Sequence, residues 1–267
     1  MSETKVLLTG AAGKVGTALR PLLTKRYHVV ATDVVSFPDA ECARVLVGDL
    51  SAPGFAAEAS RGVDAVVHLA GRVGPGVSFE ETLDANYRAV LALLEACRQH
   101  GIGRFVFASS HHAIGMLPAS GPYDVDAAAV PDGFYGLSKI FGEAACAMYA
   151  RRFNIKTLCI RIGNADSTVA DGRRERLWTS VSDLLQLIEI GISGSGFEHA
   201  LVNGTSICPS PLLSLESAQA IGYRPADHST DHRDPGFVPL ERLEDSKTRC
   251  VGGFFAVSEL PSLGWKL

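Results

Sequence analysis

Short apolar runs alternate with amphipathic segments along the first 163 residues. The runs are nearly continuous in apolar residues, which is typical of strands covered on both faces. They predict strands at Val6–Leu8, His28–Thr32, Ala43–Gly48, Asp64–Gly71, Arg104–Ser110 and Lys156–Ile162. The intervening segments repeat apolar residues at helical spacing, with helices predicted after Gly16 and at 53–61, 79–100 and 134–152. This alternation predicts an α/β fold, a doubly wound parallel sheet with helices on both faces.

The regular alternation ends after Gly163. Beyond it the pattern predicts a helix at 178–190, a strand at 199–203 and a short helix at 213–221. From Gly222 the chain is rich in charge, proline and glycine. We therefore predict two units, one at 1–163 and a small, irregular lobe at 164–267 that packs on the first.

Three glycines follow the first strand at regular spacing: Gly10, Gly13 and Gly16. Glycines at this spacing allow a tight turn, the close approach of a pyrophosphate and close packing of a helix on the strand. The helix start then offers free N–H groups to phosphate. The second strand ends in Asp33, near the offset expected for a carboxylate that binds an adenosine ribose. The pattern predicts a Rossmann-type dinucleotide site; the alternative is an ordinary glycine-rich turn followed by a surface aspartate.

Other candidate binding residues also fall where predicted strands end. Besides Gly10 and Asp33, these residues are Asp49, Gly71 and Ser110. Ligands of open parallel sheets bind beyond the carboxyl ends of the strands. We therefore expect these residues to meet at one edge of the sheet.

Tyr135 and Lys139 are the strongest candidates for chemistry. Residues four apart share one face of a helix, and an ammonium near a phenol favours the phenolate, so Lys139 is expected to lower the pKa of Tyr135. Such a tyrosine can act as a general base on a substrate hydroxyl. Ser110 could hydrogen-bond the same hydroxyl. The alternative is a core tyrosine beside a surface lysine.

Composition and charge argue against several classes of partner. The 267 residues include 25 Lys and Arg against 29 Asp and Glu, a net charge of −4, and the basic residues are not interleaved with aromatic ones, which disfavours nucleic acid. No apolar segment is long enough to cross a bilayer, and no secretory signal is visible. The six cysteines include no C-x-x-C pair. We expect a cytoplasmic protein with no nucleic-acid or membrane partner.

Together these motifs resemble the extended short-chain dehydrogenase/reductase family, which is NAD-dependent epimerase/dehydratase-like. The resemblance is carried by the glycine turn, His68-Leu-Ala-Gly71, Asn86, Ser109-Ser110 and Tyr135-x-x-x-Lys139. It implies a catalytic set of Ser110, Tyr135 and Lys139, with Asn86 supporting a proton relay. It also implies that residues 1–163 bind NAD, preferred over NADP because Asp33 repels a 2′-phosphate. The implied NAD contacts are Gly10, Ala12, Gly13, Lys14, Val15, Gly16, Asp33, Asp49, Leu50, Leu69, Ala70, Gly71, Tyr135, Lys139 and Ile162.

Within that family the chain resembles the uronate dehydrogenases, at residues 107–115, 131–143, 161–163 and 173–178. The resemblance implies oxidation of C1 of a hexuronic acid, a small acidic sugar, to an aldarolactone, with Tyr135 as general base. Arg173 would hold the substrate carboxylate; from the residues alone, 173–176 is a solvated charge cluster. By analogy with the family we also expect a homo-oligomer, a dimer or higher. The implied substrate contacts are Ser110, His111, His112, Tyr135, Arg173 and Ser78.

Two departures from the uronate dehydrogenase pattern fall at the expected sugar site. His111 stands where that pattern has asparagine, and the loop before Ser78 is one residue longer, so the serine contact with the sugar is absent or moves to Ser78. On an extended chain His111 and His112 would point in opposite directions, so no metal pair is expected, and no metal site is predicted. His112 either donates to a substrate hydroxyl or makes a structural hydrogen bond.

Two other functions share these motifs. A nucleotide-sugar epimerase or dehydratase uses the same catalytic set, but it needs a larger lobe to bind a nucleotide diphosphate. A catalytically silent NAD-binding regulatory protein would not need intact Ser110, Tyr135 and Lys139. The sequence therefore favours an NAD-dependent oxidoreductase.

Overall fold

The computed structural model of the chain describes residues 4–38 and 41–263. The strands are β1 (Lys5–Thr9), β2 (His28–Asp33), β3 (Arg44–Val47), β4 (Ala65–His68), β5 (Arg104–Ser110), β6 (Lys156–Ile162), β7 (Asn164–Ala165), β8 (Val169–Asp171), β9 (Trp178–Thr179), β10 (His199–Gly204) and β11 (Arg233–Val238). Seven of them form a central sheet in the order β3-β2-β1-β4-β5-β6-β10. Every neighbouring pair in this sheet is parallel, which confirms the predicted fold class.

Helices connect the strands. They are α1 (Lys14–Leu23), α2 (Phe55–Ala59), α3 (Phe79–Thr82), α4 (Ala89–His100), α5 (Phe134–Phe153), α6 (Gly172–Glu175), α7 (Val181–Ser193), α8 (Glu216–Ala220), α9 (Asp245–Thr248) and α10 (Phe254–Val257). A π-helix covers Leu83–Arg88, and 3-10 turns cover His111–Ile114, Ser229–His232 and Leu240–Arg242. Among the helices that the structure describes, none is long and apolar enough to cross a membrane.

Apolar side chains cover both faces of the sheet. Successive residues of a strand point to opposite faces, so Val6 and Leu8 of β1 pack with side chains of α1 and α7. Leu7 packs on the other face, with side chains of α2, α4 and α5. From β1 the sheet grows in one direction through β2 and β3, and the chain then returns to the other side of β1 to add β4. Open parallel sheets bind ligands at such a reversal of strand order.

The helix predicted at 79–100 is not one continuous α-helix. A π-helix at Leu83–Arg88 separates α3 from α4. Within it Asn86 is buried, and its side-chain amide bonds to both main-chain groups of Arg72, the N–H at 2.6 Å and the carbonyl at 3.0 Å. This tertiary contact accompanies the wider turn, and π-turns of this kind are frequent at functional sites.

The region after Gly163 contains more regular structure than the sequence predicts. The predicted loop at 164–175 carries β7, β8 and α6, and the predicted helix at 178–190 begins only at Val181 because Trp178–Thr179 forms β9. The Ser180 hydroxyl caps α7 by accepting from the Asp183 N–H at 3.0 Å. The predicted strand at 199–203 is confirmed as β10, which extends the central sheet beyond residue 163. The division into two units at residue 163 stays a prediction. Residues 1–3 of the first unit and 264–267 of the second lie outside the described residues.

Candidate active site

The glycine turn after β1 is built for close backbone approach. Gly10 has a φ of +70°, and a Cβ added there would lie 2.6 Å from the Ala70 nitrogen. A Cβ on Gly16 would lie 2.1 Å from the Gly10 carbonyl oxygen, so α1 can pack this closely only on glycine. Gly13 caps α1 without any side-chain hydrogen bond, which leaves the N–H groups of the first turn to a ligand. The turn therefore fits a pyrophosphate.

A cavity of about 380 Å³ extends from this turn toward the end of β2. The Asp33 carboxylate accepts from the Ala12 N–H at 2.9 Å and from the Val34 N–H at 2.7 Å, and both bonds fix it at the cavity wall. A carboxylate held here is placed to accept from ribose hydroxyls. The other predicted cofactor contacts on this cavity are Gly10, Ala12, Gly13, Asp49, Leu50, Leu69, Ala70 and Gly71.

A second cavity of about 380 Å³ shares Gly10, Gly13, Leu69 and Gly71 with the first. It contains the predicted catalytic residues Ser110, Tyr135 and Lys139, the two histidines, and the cofactor contacts Lys14, Val15, Gly16 and Ile162. The structure thus places every predicted cofactor contact along one continuous pair of cavities. A dinucleotide fits this arrangement because it needs two adjoining compartments joined at a glycine turn.

The structure contradicts the predicted pKa of Tyr135. Burial raises the pKa of this phenol to about 12, since the phenolate loses hydration; Ser110 lowers it by hydrogen bonding, and the Asp132 carboxyl raises it further. The Lys139 ammonium lies 5.4 Å from the centre of the tyrosine ring. Burial lowers the pKa of Lys139 to about 8, against the opposing effect of Glu143. Desolvation, which sequence spacing does not reveal, is the largest influence on the pKa of both groups.

Asn86 holds the polypeptide around the predicted catalytic residues. Besides its two bonds to Arg72, its Nδ2 donates to the Ser138 hydroxyl at 2.8 Å, and that hydroxyl donates to the Tyr135 carbonyl at 2.7 Å. These bonds connect the loop after β4 to the first turn of α5. The amide therefore positions Tyr135, while its predicted part in a proton relay stays a prediction.

The two adjacent histidines lie on one side of the chain, contrary to the expectation for an extended segment. They begin the 3-10 turn at His111–Ile114, whose tight winding brings the ring centres to 4.1 Å. Each Nδ1 has a protein partner: that of His111 bonds to the Ile162 carbonyl at 3.1 Å, and that of His112 bonds to the Asp132 carboxyl at 2.6 Å. The second bond is the structural one that was predicted as an alternative for His112.

Burial disfavours the charged forms of the ionisable groups around the histidines. Burial lowers the pKa of His112 to about 3 and raises that of the Asp132 carboxyl to about 6. A Cβ added to Gly115 or Gly252 would lie about 2 Å from Asp132 Oδ2, so two glycines leave the space that this carboxyl fills. Within the described residues Asp132 Oδ1 has no hydrogen-bond partner.

Two predicted substrate contacts, Arg173 and Ser78, are not among the described residues that line the second cavity, the catalytic cavity. Arg173 donates from Nη2 to the Val251 carbonyl, and its buried Nε has no partner in the described chain. Burial lowers the pKa of Arg173 to about 10. Ser78 caps α3: its hydroxyl accepts from the Glu81 N–H at 3.2 Å. Both contacts with substrate stay predictions.

Sequence reasoning missed two residues at this site. Phe255 of α10 lines the catalytic cavity and stacks on His112 with ring centres 4.0 Å apart. Asp132 pairs with His112 from the segment before α5. Phe255 lies in a stretch without clear periodicity, far along the chain from the cavity, and no spacing signal could have identified it. Asp132 directly precedes the Gly-Phe-Tyr sequence of the catalytic motif, which is the signal that was available.

Across 4–38 and 41–263, no three His, Cys, Asp or Glu side chains are arranged to hold a metal ion.

Comparisons with known proteins agree with this geometry. Residues 6–194 match the model of the NAD dependent epimerase/dehydratase family. The chain is 36% identical to a uronate dehydrogenase of Pseudomonas putida over 95% of its own length and 96% of that protein. Among solved structures it resembles a uronate dehydrogenase from Agrobacterium tumefaciens, with a TM-score of 0.89 at 30% identity over 97% of this chain and 99% of that one. A mutant of that enzyme complexed with NAD gives a TM-score of 0.87 at 29% identity, with the same coverage.

Proposed function

The chain belongs to the NAD dependent epimerase/dehydratase family, and on that premise we propose that it is an NAD-dependent uronate dehydrogenase. It oxidises C1 of a hexuronic acid of the glucuronate or galacturonate type to an aldarolactone. Its curated relatives at 32–36% identity, matched over nearly their whole length, carry that name. The observation that carries the proposal is the meeting of Ser110, Tyr135 and Lys139 on a cavity that adjoins the glycine turn.

NAD, when bound, supplies the two-electron acceptor. The residues that would hold it are the glycine turn, Asp33 at the ribose, and the strand ends around Leu69 and Ile162. Because Asp33 carries a negative charge, it disfavours a 2′-phosphate and therefore NADP.

Tyr135 acts as the general base toward the C1 hydroxyl. The phenolate takes the hydroxyl proton while C1 loses its hydrogen with two electrons, which leaves a lactone carbonyl at C1. Ser110 hydrogen-bonds the reacting oxygen. A protonated Lys139 stabilises the phenolate. The phenolate needs this stabilisation because burial raises the pKa of Tyr135 to about 12.

A sugar acid is the proposed substrate, with its carboxylate directed toward Arg173. The guanidinium lies close enough to His111, His112 and Asp132 to shift their pKa values, and its buried Nε has an unused hydrogen. An unpaired donor of this kind is costly to bury unless a ligand satisfies it.

We further propose that the protein is cytoplasmic and forms a homo-oligomer. The six free cysteines support a reducing compartment.

A substrate panel tests this proposal. The purified protein is mixed with NAD and with glucuronate, galacturonate, the corresponding neutral sugars and a UDP-sugar, and NADH absorbance is followed together with product analysis. We expect turnover with free uronic acids only, abolished by Tyr135→Phe. Conversion of the UDP-sugar without net NADH would instead support an epimerase, and NAD binding without any conversion would support a silent NAD-binding protein.

A further inference from the structure

The imidazole of His111 is held at the wall of the catalytic cavity. Ser110, the last residue of β5, lies in register with Ile162, the last residue of β6. The chain then enters the 3-10 turn, and the His111 Nδ1 meets the Ile162 carbonyl oxygen at 3.1 Å. Only 7% of the residue is exposed. The protein therefore fixes the orientation of this ring.

The bond to Ile162 also determines the tautomer of His111. A carbonyl oxygen only accepts, so Nδ1 must carry the hydrogen, and the neutral ring then has a bare Nε2. Burial holds the pKa of His111 well below its usual value, and the neighbouring His112 and the Arg173 guanidinium oppose a second positive charge there. The ring therefore stays neutral at physiological pH, and Nε2 can accept a hydrogen bond but cannot donate one.

Nε2 of His111 has no hydrogen-bond partner within the described chain. The atom is also not fully enclosed, because the fully buried side-chain atoms without a partner do not include it. It therefore keeps access to the cavity that His111 lines.

His112 does not offer a fixed polarity of this kind. Its Nδ1 bonds to a carboxyl, that of Asp132, which can accept or donate according to its protonation. Burial raises the pKa of that carboxyl to about 6, so the polarity of His112 changes near that pH, whereas the carbonyl partner of His111 accepts at every pH.

We propose that His111 is a specificity-determining residue whose Nε2 accepts a hydrogen bond from one ring hydroxyl of the sugar. The inference rests on the proposed function, since it names what that cavity recognises. A bare nitrogen favours a ligand atom that carries a hydrogen. It disfavours a deoxygenated carbon, an ether oxygen or a carboxylate at the same point, because each leaves Nε2 unpaired or facing another lone pair.

Two variants of His111 separate the contact from the fold. In His111→Asn the amide nitrogen stands near the position of Nδ1 and can still donate to Ile162, but nothing replaces Nε2. In His111→Gln the longer side chain carries an acceptor oxygen to the distance of Nε2. Folding of both variants is checked by their unfolding midpoints and by NAD binding.

The experiment measures kcat/KM of the three proteins with a uronic acid that the wild type oxidises and with its 2-, 3- and 4-deoxy analogues. For one of these positions we expect deoxygenation of the substrate to lower the kcat/KM of the wild type roughly tenfold or more. In His111→Asn that loss should shrink to nearly nothing, while the losses at the other positions remain; His111→Gln should recover part of it. Heteronuclear NMR of the wild-type histidine rings should show hydrogen on Nδ1 of His111 and none on Nε2.

The outcomes that overturn the inference are separate from those that overturn the proposed function. If the wild type oxidises no uronic acid, the function is wrong. If it does so, but every deoxy analogue loses the same factor in the wild type and in His111→Asn, the role of His111 is wrong. A hydrogen on Nε2 in the NMR spectrum would also overturn that role.

Discussion

Replacing Lys139 with methionine should stabilise the cofactor-free protein at neutral pH, although it removes a side chain of the proposed catalytic set. Lys139 is 4% exposed, and its ammonium lies 5.0 Å from the centre of the Phe107 ring. Burial opposes the charged form, so the protein retains an ammonium that its own interior disfavours. Methionine has a similar volume and no charge to desolvate.

The magnitude follows from the pKa of Lys139, which falls from 10.5 to about 8. Each unit is worth about 1.4 kcal/mol, so the charged side chain costs about 3 kcal/mol of folding free energy. Below pH 8 the lysine is protonated in both states and the full cost is present. Between pH 8 and 10.5 the unfolded chain binds more protons than the native one, so the stability of the wild type rises with pH. Above 10.5 the cost has disappeared.

Urea unfolding of both proteins without NAD, at pH 7, 9 and 10.5, measures this effect. We expect Lys139→Met to be more stable by about 3 kcal/mol at pH 7, with a difference that declines as the pH rises. Lys25→Met, at an exposed lysine, should change little at any of these pH values. A Lys139→Met protein that is less stable than the wild type at pH 7, or a difference that does not vary with pH, would contradict a desolvation cost at Lys139.

Three further predictions concern the cofactor turn and the core. Gly16→Ala places a Cβ 2.1 Å from the Gly10 carbonyl oxygen and should abolish NAD binding in a calorimetric titration; retained affinity would contradict it. Glu143→Ala strands the buried Arg161 guanidinium, which is paired through Nε and Nη2 at 2.8 Å, and should cost about 3–5 kcal/mol in denaturant unfolding; a cost below 1 kcal/mol would contradict this. Asp33→Ser removes the carboxylate from the ribose cavity, so the ratio of KM for NADP to KM for NAD should fall, whereas an unchanged ratio would argue against a ribose contact.

The strands of the central sheet were predictable because both faces of that sheet are covered. A parallel strand between two helical layers is apolar along its whole length, as at Val6–Leu8, and the turn that follows requires glycines at fixed positions. The spacing of Tyr135 and Lys139 likewise places both on one side of α5. These signals are local, so a single sequence contains them.

Features that depend on distant contacts were not predictable. The π-helix accompanies a bond between Asn86 and the main chain of Arg72. The position of Phe255 depends on its ring contact with His112, which is distant in the sequence. The pKa of Tyr135 was predicted in the wrong direction, because burial is a property of the whole fold. The same applies to the two neighbouring histidine rings, whose orientation depends on a 3-10 turn.

The most direct test of the proposed function follows the hydrogen at C1. The wild-type protein is incubated with NAD and with glucuronate deuterated at C1, and the reduced cofactor is analysed by mass spectrometry and proton NMR. We predict that one deuterium appears at C4 of the nicotinamide ring for each lactone formed. Unlabelled NADH, or a lactone formed without reduced cofactor, would contradict direct oxidation of C1 at this site.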